Sequence, residues 1–421
     1  MPTINSADTA WMLIATGLVL LMTPALGFFY GGMVRRKSAL NTMMMSFASL
    51  GCVGLAWAFI SYSIAFAPSG PLSMAGGFRY AFLQGVGLEA RGTIPHLLFM
   101  AYQATFAIIT AALISGSIVE RVRFGPYVAF ITLWSILVYA PIAHWVWAPD
   151  GWLAKLGALD FAGGTVVHIN AAAAALVLAL VVGARKDYAR QALLPHNVPF
   201  TLLGTGVLWF GWFGFNGGSA LAANGSAALA LVNTMFAPMA TLAVWWLLDV
   251  RRTGRATAIG MATGIVVGLV AITPAAGFVS PMSAIAIGAI AALPSYYALV
   301  FRARTRLDDS LDVVGAHGVG GISGALLTGV FADATWNGSA NGALFGHPAQ
   351  LGIQLVAVVA TIAYSVAGTY VIVLVMRAVA PLRASPDDEG IGLDVTQHGE
   401  EAYSDGEGAI LVVADRRRLP K

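Results

Sequence analysis

Long apolar stretches separated by short polar connections run through most of this chain. Most stretches are close to the ~20 residues that a helix needs to cross the hydrocarbon core of a bilayer. They predict an all-α integral membrane protein with eleven transmembrane helices, of which the sixth, eighth and tenth are short and rich in glycine. The predicted spans are 11–30, 41–66, 96–117, 124–144, 165–183, 198–215, 227–248, 257–273, 283–301, 313–331 and 350–379.

Composition agrees with a membrane location. The chain is 58% hydrophobic and 10% charged, whereas soluble domains carry roughly 25% charged residues. A soluble fold of 421 residues could not cover its surface with so few charges, but a lipid-facing surface should be apolar. The 48 glycines fit, because small residues let membrane helices approach closely. The single cysteine, Cys52, excludes an intrachain disulfide.

Basic residues indicate the direction of the spans. Of the 23 Lys and Arg residues, 20 lie in alternate connections and in the C-terminal tail. The other side has only Arg79, Arg91 and Lys155. Cytoplasmic loops carry the excess of positive charge, so we expect the N-terminus outside and the C-terminus inside. This placement explains the basic pI of about 9.0 by topology, without a nucleic-acid partner.

The two ends of the chain differ in character. No Lys or Arg precedes the first span, so we expect it to be retained and not cleaved as a signal peptide. Residues 1–380 form the predicted membrane domain, and the polar residues 381–421 form a predicted cytoplasmic regulatory tail. The tail ends in the basic run Arg416–Arg418, which we interpret as a solvated terminus.

Two spans carry a histidine near their beginning. The fifth has Asp160 before His168, and the tenth has Asp312 before His317. These helices are five spans apart, and because five is odd they cross the membrane in opposite directions. This indicates an inverted repeat of five plus five helices, at about 9–183 and 198–331, with a final long helix at 350–379.

Ionisable residues inside a membrane are functional by default, because burying a charge is costly. The alternative is that the two histidines only pack between helices. Within the spans we find no paired carboxylates, no third metal ligand of convincing spacing and no nucleotide-binding loop. We therefore expect no enzyme, no metal and no cofactor.

Several motifs together resemble the ammonium transporter family (Amt/Mep/Rh), and more closely its Amt branch. The resemblance runs from Asp8 to Tyr403. The most specific motifs are Phe29-Tyr30-Gly31-Gly32-Met33-Val34-Arg35, Asn41-Thr42-Met43-Met44-Met45, Asp160-Phe161-Ala162-Gly163-Gly164-Thr165-Val166-Val167-His168-Ile169-Asn170, Gly211-Trp212-Phe213-Gly214-Phe215-Asn216, Gly315-Ala316-His317-Gly318, Gly392-Leu393-Asp394 and His398-Gly399-Glu400.

The resemblance implies a homotrimer in the cell membrane, with one pore through each subunit, and assigns roles to residues. Ammonium or methylammonium would bind outside at Trp147 and Ser219. Phe106 and Phe215 would close the pore mouth, and His168 and His317 would line the lumen and relay a proton. The remaining assigned residues are Asp160 at the entrance and Gly392, Asp394, His398 and Glu400 in the tail. The resemblance also implies a PII-type nitrogen regulatory protein as a cytoplasmic partner.

Two positions carry further interpretations. Tyr102 stands where the family often has a second pore-mouth Phe, and its hydroxyl would add a polar contact to the ion. Asp160 either caps the fifth helix or supplies negative field at the mouth. Asp312 would be the equivalent cap on the inner side.

The residue types suit ammonium. Trp147 offers a π face worth roughly 0.5–2 kcal/mol to a cation. Ser219 offers an oxygen that accepts a hydrogen bond from ammonium, and potassium has no proton to donate to it. Without the resemblance, Trp147 reads as an interfacial residue beside Trp145 and Trp152, Ser219 as a loop residue and the two Phe residues as packing. One competing function is an ammonium sensor that signals through a cytoplasmic partner, since the roughly forty residues after the last span are too few for an appended kinase or cyclase domain. Another is a different small-solute channel, such as a water or formate channel.

Overall fold

The computed structural model of the chain describes residues 3–69 and 74–403. Within them, ten helices are long and apolar enough to cross a membrane, and one further apolar helix is shorter. In chain order these are α1 (Ser6–Met33), α2 (Arg36–Phe66), α3 (His96–Ser117), α4 (Phe124–Leu156), α5 (Gly164–Val182), α6 (Val198–Gly218), α7 (Gly225–Thr253), α8 (Ala258–Ile272), α9 (Pro281–Arg302), α10 (Val314–Phe331) and α11 (Ala349–Val379).

Helix α8 differs most from the other spans. It has 15 residues, fewer than the ~20 needed to cross the hydrocarbon core. Apart from Met261 and Thr263 its residues are glycine or aliphatic, and most of its length is buried between α7, α9 and α6. The chain is therefore a multi-pass membrane protein with ten long apolar helices and one short buried one in its described part.

Short elements of secondary structure lie between the spans and within them. A two-stranded antiparallel sheet pairs Ala90–Arg91 with Ile94–Pro95. Short helices and turns of helix lie at Ala81–Leu83, Ala334–Asn337, Ala343–Phe345 and, in the tail, Pro386–Ile391. Stretches of π-helix occur at Trp57–Ser61 in α2, Ser135–Tyr139 in α4, Gly164–Ile169 at the start of α5, Val314–Val319 at the start of α10 and Asp394–His398 in the tail.

Helices α5 and α10 cross in opposite directions at the centre of the fold. Near the end of α5, the Arg185 backbone N–H donates to Asp308, which precedes α10. Near the end of α10, the Asp333 N–H donates to the carbonyl of Phe278, whose ring packs on Phe161 just before α5. The start of each helix thus lies beside the end of the other, while α1 packs along α6.

A buried ion-pair cluster joins the basic ends of these helices. Arg185 donates to Glu120 (2.8 Å) and twice to Asp308 (2.8 and 2.9 Å). Burial acts to raise the pKa of the Glu120 and Asp308 carboxyls. The positive charge of Arg185 beside both outweighs burial, so both pKa values are lowered. Arg35 adds to this effect at Glu120, and Arg121 adds to it at Asp308. Arg121 is fully buried and donates to the carbonyls of Ser117, Asp308 and Gly183.

The tail is docked as far as Tyr403, whose hydroxyl contacts His196 and Asn197. The Lys37 ammonium donates to the carbonyls of Glu389 and Gly390. The basic run Arg416–Arg418 lies outside the described residues.

Candidate functional site

One carboxylate fixes the start of α5. The first amides of a helix have no partner within it, and Asp160 accepts four of them, from Gly163, Gly164, Thr165 and Val166, at 2.6–3.1 Å. Gly163 has a φ of 109°, a conformation that glycine adopts without strain. Of the two interpretations of Asp160, the structure contains the cap, and this cap holds the turn on which His168 stands.

The equivalent carboxylate at α10 is Asp309. It accepts from the N–H groups of Val313 (3.1 Å) and Val314 (2.7 Å). The prediction that Asp312 is this cap is wrong, because Asp312 has a φ of 59° and pairs with Arg302 at 2.7 Å. The sequence held a signal for Asp309: His317 follows it by eight residues (317 − 309), as His168 follows Asp160 (168 − 160).

The two histidines meet where the π-helical openings of α5 and α10 cross. Their Nδ1 atoms are 3.2 Å apart, their ring centroids 5.2 Å apart and their planes 20° from parallel. Both side chains are buried. Two Nδ1 atoms at this distance hold one proton between them, so one histidine donates and the other accepts. Nε2 of His168 has no partner among the described residues.

Trp212 is a site residue that the sequence analysis did not single out. Its indole stacks on the His168 imidazole, with centroids 5.4 Å apart and planes 18° from parallel. Its Nε1 donates to Thr273 Oγ1 at 2.9 Å, which fixes the indole plane. Its place three residues before Phe215 was the available signal, because this spacing puts both side chains on one helix face.

Two stacked rings lie next to the histidine pair. Phe106 and Phe215 lie 4.1 Å apart and 20° from parallel, and both are buried. The Trp147 indole meets Phe106 edge to face at 5.8 Å, and its Nε1 donates to the Asp160 carbonyl at 3.0 Å. Phe215 lies 6.1 Å from His168, so aromatic rings run continuously from Trp147 to His317.

Ser219 and Tyr102 lie beside the stacked Phe pair at the end of α6. The Ser219 hydroxyl donates to the Phe215 carbonyl at 2.8 Å, so its lone pairs are left to accept. Tyr102 is fully buried, and its hydroxyl lies 2.9 Å from the Phe215 carbonyl and 3.3 Å from Ser219 Oγ. The single proton of Tyr102 has carbonyl acceptors within the protein, and its oxygen contacts Ser219.

The cavity around the histidines is otherwise apolar. Its remaining lining residues are Met22, Leu26, Phe29, Ile109, Leu113, Val167, Leu208 and Val266. Such a cavity disfavours any charge, because nothing replaces the lost hydration. In the part of the chain that the structure describes, no group of three or more His, Cys, Asp or Glu side chains could hold a metal ion.

Gly392, Asp394 and His398 lie against the start of α2. Asp394 accepts from the N–H groups of Leu40 (3.0 Å) and Asn41 (2.7 Å). His398 lies 3.0 Å from Asn41 Nδ2 and packs edge to face on Phe124, and burial lowers its pKa. Gly392 has a φ of 124°, and Glu400 is exposed.

From the sequence we expect the basic loops 185–190 and 302–306 to partner the acidic residues of the tail, and the structure agrees only in part. Glu389 accepts from the backbone N–H of Lys186 at 3.0 Å, within the predicted 185–190 loop. The predicted 302–306 loop makes no hydrogen bond or ion pair with the tail among the residues described, since Arg302 pairs with Asp312. The start of α2 contacts the tail instead, because the Lys37 ammonium donates to the carbonyls of Glu389 and Gly390.

Comparison with known proteins places this geometry in context. Residues 10–403 match the Ammonium Transporter Family. An ammonium transporter of Aquifex aeolicus is 50% identical over 404 residues, covering 95% of this chain and 94% of that protein. The ammonium transporter Amt1 of Archaeoglobus fulgidus is 45% identical over 400 residues, covering 95% of this chain and all of its own length.

Solved structures also resemble the fold. The crystal structure of Saccharomyces cerevisiae Mep2 superposes with a TM-score of 0.86 at 36% identity, covering 91% of this chain and 88% of that one. A structure described as a sensor Amt protein gives a TM-score of 0.87 at 30% identity, covering 93% of this chain and 98% of that one.

Proposed function

Because this chain belongs to the ammonium transporter family, we propose that it carries ammonium across the membrane. In this proposal the protein recruits ammonium at Trp147 and Ser219, removes a proton, and conducts ammonia past His168 and His317. The observation that carries it is the continuous line of rings, closed at the top by two stacked Phe residues and ending in a histidine pair within an otherwise apolar cavity.

Recruitment rests on two different groups. The Trp147 π face attracts any monovalent cation, worth roughly 0.5–2 kcal/mol. Ser219 accepts a hydrogen bond with its free lone pairs, and ammonium can donate one while potassium cannot. Tyr102 contacts Ser219 Oγ at 3.3 Å, which supports a role in holding this acceptor. Methylammonium retains N–H donors and is the expected second substrate.

Selection then follows from the barrier below. The Phe106–Phe215 stack leaves no room for a hydrated ion unless a ring moves. Potassium has no neutral form, so it bears the full cost of entering an apolar lumen. Ammonium avoids that cost when it sheds its proton. A proton that stays outside gives electroneutral transport, whereas a proton that crosses separately gives a current.

The histidine pair offers neutral ammonia hydrogen bonds that the apolar walls cannot make. With one proton between the two Nδ1 atoms, one ring is left with an Nε2 acceptor and the other with an Nε2 donor. Ammonia both donates and accepts, so it can be passed from one ring to the next. The same tautomer pair can relay a proton.

The membrane arrangement is part of the proposal. Eleven spans follow if α8 is counted with the ten long helices. The opposite directions of α5 and α10 and the equal Asp-to-His spacing support the inverted repeat. The arginine distribution supports an N-terminus outside and a C-terminus inside the cell membrane. Family membership supports a homotrimer with one pore in each subunit.

Residues 381–421 form the proposed regulatory tail on the membrane domain 1–380. Asp394, His398 and Glu389 join the tail to three separate segments of the basic face. A tail so placed can report on the pore-lining helices or present a surface to a partner. We propose a PII-type regulatory protein as that partner, on the strength of family membership.

An ammonium sensor is the alternative, favoured by the close likeness to the structure described as a sensor Amt protein. A sensor binds ammonium at the same outer site but need not conduct it. The two proposals differ in flux through the purified protein alone.

Reconstituted proteoliposomes test the proposal. An inward ammonium gradient should produce either a transient current or internal alkalinisation, and an equal potassium gradient should produce neither. Both signals should vanish in the His168→Ala, His317→Ala double variant. Saturable ammonium binding without flux would instead support the sensor, and equal ammonium and potassium flux would refute selective transport.

A further inference from the structure

A groove lies where α5 and α11 end, on the side of the protein that carries most of the Lys and Arg residues, and away from the histidine pair. Its volume is about 500 Å³, and it is lined by Val181 and Val182 and by the run 377–383. Arg377 is exposed and has no hydrogen-bond or ion-pair partner among the described residues. It is an uncompensated cation at the edge of a membrane span.

The surroundings of the groove are apolar on one side and basic on the other. Val375 and Val379, on α11, are 60% and 84% exposed. A narrow apolar slot between α4 and α5 shares Val182 and Leu382 with the groove. Opposite, the Arg123 N–H donates to the Leu382 carbonyl, which places this second exposed arginine beside the groove.

We propose that this groove binds one anionic phospholipid of the leaflet on the basic side. The phosphate lies against Arg377, and the acyl chains lie along the exposed valines of α11. A cation at a helix end above exposed aliphatic side chains matches the two parts of such a lipid. A free phosphate would satisfy Arg377 but would leave the valines uncovered.

The groove is also the base of the tail. Arg383 donates to the Val182 and Ala184 carbonyls at the end of α5 and pairs with Glu389 at 2.7 Å. A lipid seated in the groove therefore rests on the segment that joins α11 to the docked tail. Binding should protect this segment as well as the helix ends.

Lipid titration of the purified, delipidated full-length chain tests the proposal. The probes are dioleoyl phosphatidylglycerol, dioleoyl phosphatidylcholine and inorganic phosphate, with binding read by native mass spectrometry and by the unfolding midpoint. Arg377→Gln should weaken phosphatidylglycerol binding about fivefold, as expected for one basic residue near a membrane surface. Val379→Asp should weaken it further, because it adds a like charge to that of the phosphate.

Arg251→Gln is the matched control. Arg251 is exposed and lies two residues before the end of α7 (253 − 251), as Arg377 lies two before the end of α11 (379 − 377). Equal effects of the two arginine variants would overturn the site. So would equal binding of phosphatidylcholine, displacement of the lipid by phosphate at matched ionic strength, or a change in subunit association without a change in lipid affinity.

Discussion

Nδ1 of His168 lies 3.2 Å from Nδ1 of His317, and this contact joins the π-helical starts of α5 and α10. Each ring is set by its own helix start, and each helix start is set by its own carboxylate, Asp160 or Asp309. The contact therefore depends on four residues from two distant stretches of the sequence, 160–168 and 309–317.

Replacing both histidines with alanine should remove selective transport. Methylammonium uptake should fall by roughly a hundredfold, the lower end of what a positioned proton-transfer group contributes. His347→Ala, in an exposed loop, is the control and should leave uptake unchanged. Normal uptake with intact discrimination against potassium in the double variant would rule out the relay and selectivity roles.

Trp147→Leu should act on recruitment before the barrier. Loss of a cation–π contact of roughly 0.5–2 kcal/mol raises the half-saturation concentration by about 2- to 30-fold. The maximal rate should change less. Uptake measured against substrate concentration separates the two parameters. Trp246→Leu, at an exposed position on α7, provides the comparison, and an unchanged half-saturation for Trp147→Leu would make Trp147 an interfacial residue only.

Asp309 and Asp312 should differ in their effect on stability. Asp309→Ala leaves two helix amides without a partner, and a lost cap typically costs about 1 kcal/mol, up to about 2. Asp312→Ala breaks a part-exposed pair with Arg302, and exposed pairs contribute about 0–1 kcal/mol. Unfolding midpoints of the purified variants decide this. A larger loss for Asp312→Ala would return the capping role to that residue.

Arg185→Gln should destabilise the protein by about 3–5 kcal/mol near pH 7, because two buried carboxylates lose their shared cation. Glu120 and Asp308 have lowered pKa values in the folded protein. Their contribution is therefore present above the unfolded value of about 4 and is lost as the pH falls through the folded values.

The variant should consequently lose less stability than the native protein between about pH 5 and pH 3. Unfolding midpoints across this range test the sign. Arg190→Gln, an exposed arginine of the same loop, should follow the native curve. Parallel curves for native protein and Arg185→Gln would show that the cluster does not hold the two carboxylates ionised.

Gly392→Ala should loosen the tail. The backbone there has a φ of 124°, and an added Cβ would collide with the backbone of Lys37. Gly254→Ala, with a φ of 75° but open space around it, separates conformational strain from collision. Proteolysis within 384–403 should be faster in Gly392→Ala alone.

Deletion after Arg383 extends the tail test to function. If the tail couples to the pore or docks a regulator, the deleted protein should transport at a changed rate or escape inhibition by a PII-type protein. Normal assembly, normal transport and normal inhibition together would show that the tail does neither.

The sequence predicted the helices well because membrane spans are long and uniformly apolar. Ten long helices match predicted spans, although α2 begins at Arg36 and α4 continues to Leu156. Polar turns at the interface can join a helix without changing its apolar part, so hydropathy locates span centres better than ends. The short α8, at Ala258–Ile272, lies within the predicted span 257–273 and is buried against its neighbours.

Site residues of types that are rare in membrane spans were predictable, and site residues of common types were less so. Two histidines in apolar spans stand out, and the structure brings them together. Asp309 and Asp312 both precede α10, and only the hydrogen-bond geometry separates a cap from an ion pair. Trp212 looked like one aromatic residue among many, because its stacking on His168 depends on the crossing of α5 and α6.

The single proton between the two Nδ1 atoms gives the histidine pair a polarity. Either His168 donates toward His317 or the reverse, and the two arrangements point opposite ways along the pore. If a proton passes through the pair, its polarity inverts, and it must be restored before the next proton can follow. A proton relay through this pair would therefore include a resetting step in each turnover, separate from the entry of ammonium.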